Sequence, residues 1–340
     1  MKGKKTLGAF ILQAFCWCAF ALAPGKVWGE DILENAKKEG QVVFYASMEI
    51  QASQRLTALF EKKYPFMKAI VTRIGSEKMA PRLIAEAQAK QVRADVVHQS
   101  GFDFYGVLQK GIFESYNSPE RSAFPPEFKD EKGYWVTDSA TLNVFGYNTR
   151  QVAPADLPKS FRDLTDPKWK DRLLMDENES KWMAGMITYH GEAATIDLLR
   201  KLADQGIQFR PGHSLIATLL AAGERPATVV AFANGVERLK KEGAPIDWIA
   251  LEPLIGLTFG FGLVKNGPHP NAGKLFVDFL LSREGQQAFA AADYYSARKD
   301  VQSPIMKQVP RSLKVIPLSM ELAKRYNEYF QTYRRVMELN

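Results

Sequence analysis

Six short stretches of this 340-residue chain gather hydroxyl, carboxamide, glycine and charged residues: Ser47–Glu49, Gly75–Ser76, Ser100–Gly101, Asp176–Ser180, Gly212–Ser214 and Asn234–Gly235. Small polar residues placed just ahead of helices leave backbone N–H groups open. The helix dipole adds partial positive charge at the same place. That is the chemistry of an anion or polyol pocket. Each residue has a competing role as an N-cap or turn former. His213, set between Gly212 and Ser214 and near Arg210, is the sharpest titratable candidate. Trp182 offers a ring that stacks on a ligand or packs between helices. The candidate ligand contacts are Ser47, Glu49, Ser76, Ser100, Asn178, Trp182, His213, Ser214 and Asn234. Catalytic signatures are missing: there is no Gly-x-Ser-x-Gly elbow, phosphate-binding Gly-Lys-Ser/Thr loop or His-Glu-x-x-His helix. Glu49 with His213 is the one acid–base pairing on offer. The expectation is a binding protein without catalytic residues, resident metal or cofactor.

The elements that must hold these residues alternate between strand and helix. Gln41–Ala46, Ala69–Ile74 and Ala94–Gln99 are short apolar, β-branched runs. The helical patterns Gln51–Tyr64 and Met79–Lys90 lie between them. Continuous apolar strands separated by helices imply a parallel sheet covered on both faces. Residues 117–139, rich in proline and charge, read as surface loop. A second α/β series runs from Arg172 to Leu251 and is flanked by the strands Thr141–Asn148 and Leu257–Lys265. If the second series forms its own sheet, these two strands cross between two lobes. Lobe 1 is then discontinuous (30–146 plus 258–340), lobe 2 spans 147–257, and the ligand lies between them. Gly146 and Gly256–Gly262 are the expected hinge positions. A last helix is predicted over Leu318–Met337.

Residues 1–29 read as a secretory signal: basic at Lys2, Lys4 and Lys5, apolar from Leu7 to Ala23, with cleavage near Gly29. A retained anchor is the alternative. Cleavage removes four lysines, no acid and both cysteines, so the net charge falls from +7 to +3 and no thiol remains. An excess that small gives no case for nucleic acid.

Six pieces carry a resemblance: Gly40-Gln41-Val42-Val43-Phe44-Tyr45, Arg93-Ala94-Asp95-Val96-Val97, Leu108-Gln109-Lys110-Gly111, Tyr147-Asn148-Thr149, Leu164-Thr165-Asp166-Pro167-Lys168-Trp169-Lys170 and Ser282-Arg283-Glu284-Gly285-Gln286. In this order they resemble the periplasmic solute-binding proteins of the ferric-ion-type ABC importers, over about residues 31–305. The resemblance implies an α/β, two-lobed type II periplasmic-binding fold, each lobe a mostly parallel sheet flanked by helices, with a two-strand hinge. It also implies a small-molecule ligand, an ABC permease partner in the inner membrane, a monomer and a periplasmic location. Ferric members ligate metal with a histidine, a glutamate and a tyrosine pair. At those places this chain has Ser47-Met48-Glu49, Gln99-Ser100-Gly101 and Phe232-Ala233-Asn234. Tyr294-Tyr295 falls in a stretch that resembles a structural turn of the family. The expected ligand is therefore a small polar solute, anionic or zwitterionic. A ferric-ion carrier, or a sensory protein docking on a receptor kinase, is the alternative.

Overall fold

The computed structural model describes residues 28–318 and 320–339. The expected signal segment lies outside them except for its last two residues, which open α1 (Trp28–Glu39).

Lobe 1 grows around β1 (Gln41–Ala46), whose apolar run is buried on both faces. Helix α2 (Ile50–Lys63) leads to β2 (Lys68–Arg73), and α3 (Ser76–Gln88) leads to β3 (Val96–Ser100). Both strands pair with β1 in parallel. Helix α4 (Gly101–Leu108) and the short β4 (Phe113–Glu114) follow. The chain then enters β5 (Val136–Asn148), its longest described strand.

Lobe 2 follows: β6 (Leu173–Asp176), α5 (Ser180–His190), α6 (Glu192–Ala203), β7 (Gln208–Arg210), α7 (His213–Ala222), β8 (Ala227–Phe232), α8 (Ala233–Lys241) and β9 (Ile246–Ile249). Strand β6 pairs in parallel with β7 and β8. Strand β10 (Leu254–Val264) returns to lobe 1 and lies antiparallel between β3 and β5. After it come α9 (Pro270–Leu281), α10 (Arg283–Ala291), β11 (Tyr295–Ser296), β12 (Val315–Pro317) and α11 (Tyr326–Val336). The strand order β2-β1-β3-β10-β5-β8-β6-β7 runs through both lobes.

One strand therefore belongs to two sheets. Leu142 of β5 faces Gly256 of β10, and the next residue, Asn143, faces Phe232 of β8. The crossing lies at 142–143, not at 146. Strand β5 also starts inside the stretch read as loop. Thr137, Asp138 and Ser139 hide it from a hydropathy reading, yet all three are buried. The C-terminal segment departs from the expectation twice. Met320–Arg325 is a 3-10 turn, so the α-helix is shorter than Leu318–Met337. Helix α11 packs on α5 and α6 of lobe 2, whereas the sequence places residues 258–340 in lobe 1. Its Tyr329, Tyr333 and Val336 join the core that holds Trp182, Met183 and Met186.

The glycines of β10 answer to packing. A Cβ on Gly262 would lie 2.6 Å from the Phe104 ring and 2.8 Å from Phe113, and one on Gly260 would lie 2.9 Å from the Val136 carbonyl oxygen. Phe104 and Phe113 stack with centroids 4.2 Å apart, so neither ring yields easily. Gly262→Ala is expected to destabilise the protein by about 1–3 kcal/mol through overpacking, read as a lower urea midpoint at unchanged slope.

Candidate binding cleft

A cavity of about 520 Å³ opens between the carboxyl ends of the lobe-1 strands and those of lobe 2. All nine residues singled out from the sequence line it. The reason is topological: each parallel strand delivers its following turn to the same sheet edge. Ser47 and Glu49 sit between β1 and α2, Ser76 after β2, and Ser100 at the β3–α4 junction. Asn178 lies between β6 and α5, His213 and Ser214 open α7, and Asn234 opens α8.

These polar residues do not act as helix caps. None of α2, α3, α4, α5, α7 or α8 has its N-terminus capped by a side chain. Their own N-cap side chains therefore leave the first-turn N–H groups of these six helices free at the cleft, and the Asp176 carboxylate takes the Gly212 N–H just ahead of α7.

Several candidates spend their polar atoms on the protein. Ser76 Oγ accepts from Ser100 N at 3.1 Å. Ser100 Oγ donates to the Asp103 carboxylate and accepts from Lys181 Nζ at 3.2 Å. Asn178 Nδ2 donates to the Tyr326 hydroxyl at 3.1 Å, and Asn178 Oδ1 accepts from Ser180 Oγ at 2.6 Å. Asn234 Oδ1 accepts from the Thr141 hydroxyl. Trp182 is not a stacking platform. It is fully buried, with Phe161 edge-on at 5.1 Å, and only its indole N–H remains for a ligand. Five lining residues do hold a buried polar atom with no hydrogen-bond partner among the described residues: Ser47 Oγ, Asn143 Oδ1, Glu179 Oε1, Trp182 Nε1 and His213 Nδ1.

Five acids line the cleft, and four are already engaged or neutral. Glu49 Oε2 accepts from Arg238 Nε at 2.8 Å, so Glu49 is not the partner of His213. The Asp176 carboxylate accepts from the backbone N–H groups of Asn178 and Gly212 at 2.9 and 2.7 Å. Glu77 lies 3.6 Å from Lys181 Nζ. Burial raises the Glu179 pKa well above its ordinary value, and the neighbouring Asp176 adds to the shift, which favours the protonated acid. His213 Nε2 lies 3.4 Å from Glu179 Oε1, and its ring stacks on Phe232 with centroids 3.6 Å apart. Burial lowers the His213 pKa, so both shifts disfavour charge on the pair. Glu177 is exposed and is the one remaining acid.

The sequence reading missed both cations. Lys181 is buried at the cleft, 2.8 Å from Asp103 across the lobes. Burial alone would lower its pKa, but Asp103 and Glu77 outweigh that and hold the ammonium charged. Arg73, at the end of β2, lines the cleft and has no carboxylate partner among the described residues. Its place at the carboxyl end of a parallel strand was the available signal. Behind the cleft wall, His98 is fully buried and stacks on Phe259. Tyr294 lines the cleft, while Tyr295 pairs with Ala140 and lines a different cavity, so the two phenols do not converge.

The sequence profile of the bacterial extracellular solute-binding proteins matches residues 94–315. The chain belongs to that family. Among its relatives, an uncharacterised Haemophilus influenzae protein is 28% identical over 74% of this chain and 76% of its own length. The Fe(3+)-binding periplasmic protein of Serratia marcescens is 23% identical over 63% of this chain and 65% of its own. The major ferric iron-binding protein of Neisseria meningitidis is 28% identical over 46% and 50%. Two solved structures share the fold. Iron-bound HitA of Pseudomonas aeruginosa has a TM-score of 0.74 at 20% identity, covering 87% of this chain and 99% of that one. AfuA of Actinobacillus pleuropneumoniae, with fructose-6-phosphate bound, has a TM-score of 0.78 at 23% identity, covering 88% and 99%. This solute-binding protein thus has the two-lobed type II periplasmic-binding architecture. Among the described residues no helix is long and apolar enough to cross a membrane.

The uncharged Glu179 makes stability depend on pH. Its pKa is raised in the folded protein, so between the ordinary value of 4.5 and the raised one the folded state binds more protons than the unfolded state. Stability from this group is full below 4.5 and is lost as pH rises through the folded pKa. Glu179→Gln is expected to remove that slope, leaving the variant increasingly favoured over the parent as pH rises. Denaturation midpoints from pH 4 to 9 would check this, and parallel midpoints would contradict a protonated Glu179.

Proposed function

We propose that this protein is the exported substrate-binding subunit of an ABC importer whose solute is a small anionic or zwitterionic organic molecule bearing a phosphate, phosphonate or carboxylate. The observation that carries the reading is the convergence of six helix N-termini, none capped by the side chain of its own N-cap residue, on one cleft. Such termini favour negative charge. Arg73 adds a cation with no competing carboxylate, and protonated Glu179 adds an O–H donor where a carboxylate would repel the anion. A cavity of about 520 Å³ suits an organic solute better than a bare ion. Exposed Glu177 suits an ammonium group, which favours a zwitterion such as an aminophosphonate.

Both cargo chemistries occur among similar proteins: the Serratia and Neisseria relatives are named for ferric iron, and the AfuA structure holds a sugar phosphate. The donor set favours the organic solute. Among the described residues no cluster of three or more His, Cys, Asp or Glu is placed to hold a metal ion. Burial, with Glu49 nearby, raises the Tyr294 pKa, which disfavours a phenolate ligand. The reading includes cleavage of the signal near Gly29, release into the periplasm, and action as a monomer without nucleic acid, cofactor or catalytic step.

Calorimetric titration of the mature chain against inorganic phosphate, glycerol 3-phosphate, 2-aminoethylphosphonate, small carboxylates and ferric citrate tests this. An anion is expected to bind, and Ser47→Ala and Arg73→Ala should each weaken it by about tenfold, the scale of one charge-assisted hydrogen bond. Thermal midpoints should be unchanged. A tight, strongly coloured ferric complex with no anion binding would replace this reading with a metal carrier.

A further inference from the structure

The C-terminal segment lies beyond the stretch that matches the family profile, which ends at residue 315. It begins on lobe 1. Strand β12 pairs in parallel with β10, Leu318 N donates to the Gly256 carbonyl at 3.0 Å, and the Thr258 hydroxyl donates to the Leu318 carbonyl at 3.0 Å. The Met320–Arg325 turn packs on α4. The chain then crosses to lobe 2, where α11 packs on α5 and α6.

At the crossing the segment touches the wall of the cleft through two tyrosines. The Tyr326 hydroxyl accepts from Asn178 Nδ2 at 3.1 Å. Its ring meets Phe102 of α4 edge-on at 5.9 Å and lies 5.6 Å from Lys181 Nζ. The Tyr333 hydroxyl, fully buried, donates to the Asp176 carbonyl at 2.8 Å. Both bonds are relayed. Asn178 Oδ1 takes the Ser180 hydroxyl at the start of α5, and the Asp176 carboxylate takes Gly212 N at the start of α7. Two of the six helix N-termini, together with Lys181, are therefore oriented from behind by residues that do not line the cavity.

We propose that the C-terminal segment is the brace of the lobe-2 wall: Tyr326 through Asn178, and Tyr333 through Asp176, are positioning residues that set the turn 176–181 and the starts of α5 and α7 in solute-binding geometry. The consequence for affinity rests on the anion reading above; the mechanical role does not. A brace that begins on lobe 1 and ends on the binding turn of lobe 2 also links the placement of that turn to the relation between the lobes.

The test uses the full mature chain and two readouts. Amide hydrogen exchange of the ligand-free protein is compared for parent, Tyr326→Phe and Tyr333→Phe. Exchange over residues 177–183 and 212–216 is expected to rise about fivefold, the scale of one lost neutral hydrogen bond. Exchange over 47–53 in lobe 1 and the thermal midpoint should hold. Unchanged exchange at the lobe-2 sites, or a uniform rise with a lower midpoint, would overturn the brace. The second readout is a double-mutant cycle on the affinity for inorganic phosphate and 2-aminoethylphosphonate. Tyr326→Phe should weaken binding about threefold to tenfold in the parent and not at all in the Asn178→Ala background. An equal loss in both backgrounds would overturn positioning through Asn178. A parent that binds neither of these two anions, nor any other anion of the panel above, defeats the anion reading, and the exchange data then judge the brace alone.

Discussion

A parallel strand followed by a helix delivers the helix N-terminus to one edge of its sheet, and this constraint governs the molecule. Strands β1, β2 and β3 do so in lobe 1, and β6, β7 and β8 do so in lobe 2. Strand β5 belongs to both sheets, so the two edges face each other across one gap. The cleft is thus a product of chain direction. Its backbone N–H groups are available because nearby side chains are turned to other duties, as with Ser100 toward Asp103 and Asn178 toward Tyr326.

The sign of the cleft follows from which charges are already paired. A tally of residue types would make it acidic. Arg238 holds Glu49, backbone N–H groups hold Asp176, Lys181 lies against Glu77, and burial keeps a proton on Glu179. What remains is Arg73, the helix termini and a single exposed glutamate. Lys181 shows how costly such a site is to build. A buried ammonium needs close carboxylates, and it finds Asp103 and Glu77 on the opposite lobe, so one side chain both lines the cleft and ties the lobes together.

The sequence exposed the parts of this design that depend on local pattern. Strand β1 announced itself by its apolar run, and the turns after the strands by their small polar residues. Helix α4 was missed because GFDFYGVL is apolar at nearly every position apart from Asp103 and carries two glycines, so it shows no clear helical period. The start of β5 was missed because Thr137-Asp138-Ser139 is a polar run that only its neighbours bury. Trp182 shows the limit from the other side: an aromatic next to a binding turn has the same appearance whether it faces solute or core. Arg73 and Lys181 differ in whether an acid waits for them, and that partner lies in a distant part of the chain.

The shared strand has a thermodynamic consequence. Two cores with separate aromatic centres would ordinarily melt as two units. Here the backbone of β5 is hydrogen-bonded to β10 on one side of the 142–143 junction and to β8 and β9 on the other. Loosening either sheet strips half of the same strand and exposes the adjoining half to fraying. Side-chain packing adds to this ladder, since Phe102, Leu257 and Phe259 share one core with Trp182 and Tyr333, and the molecule should unfold in one cooperative transition.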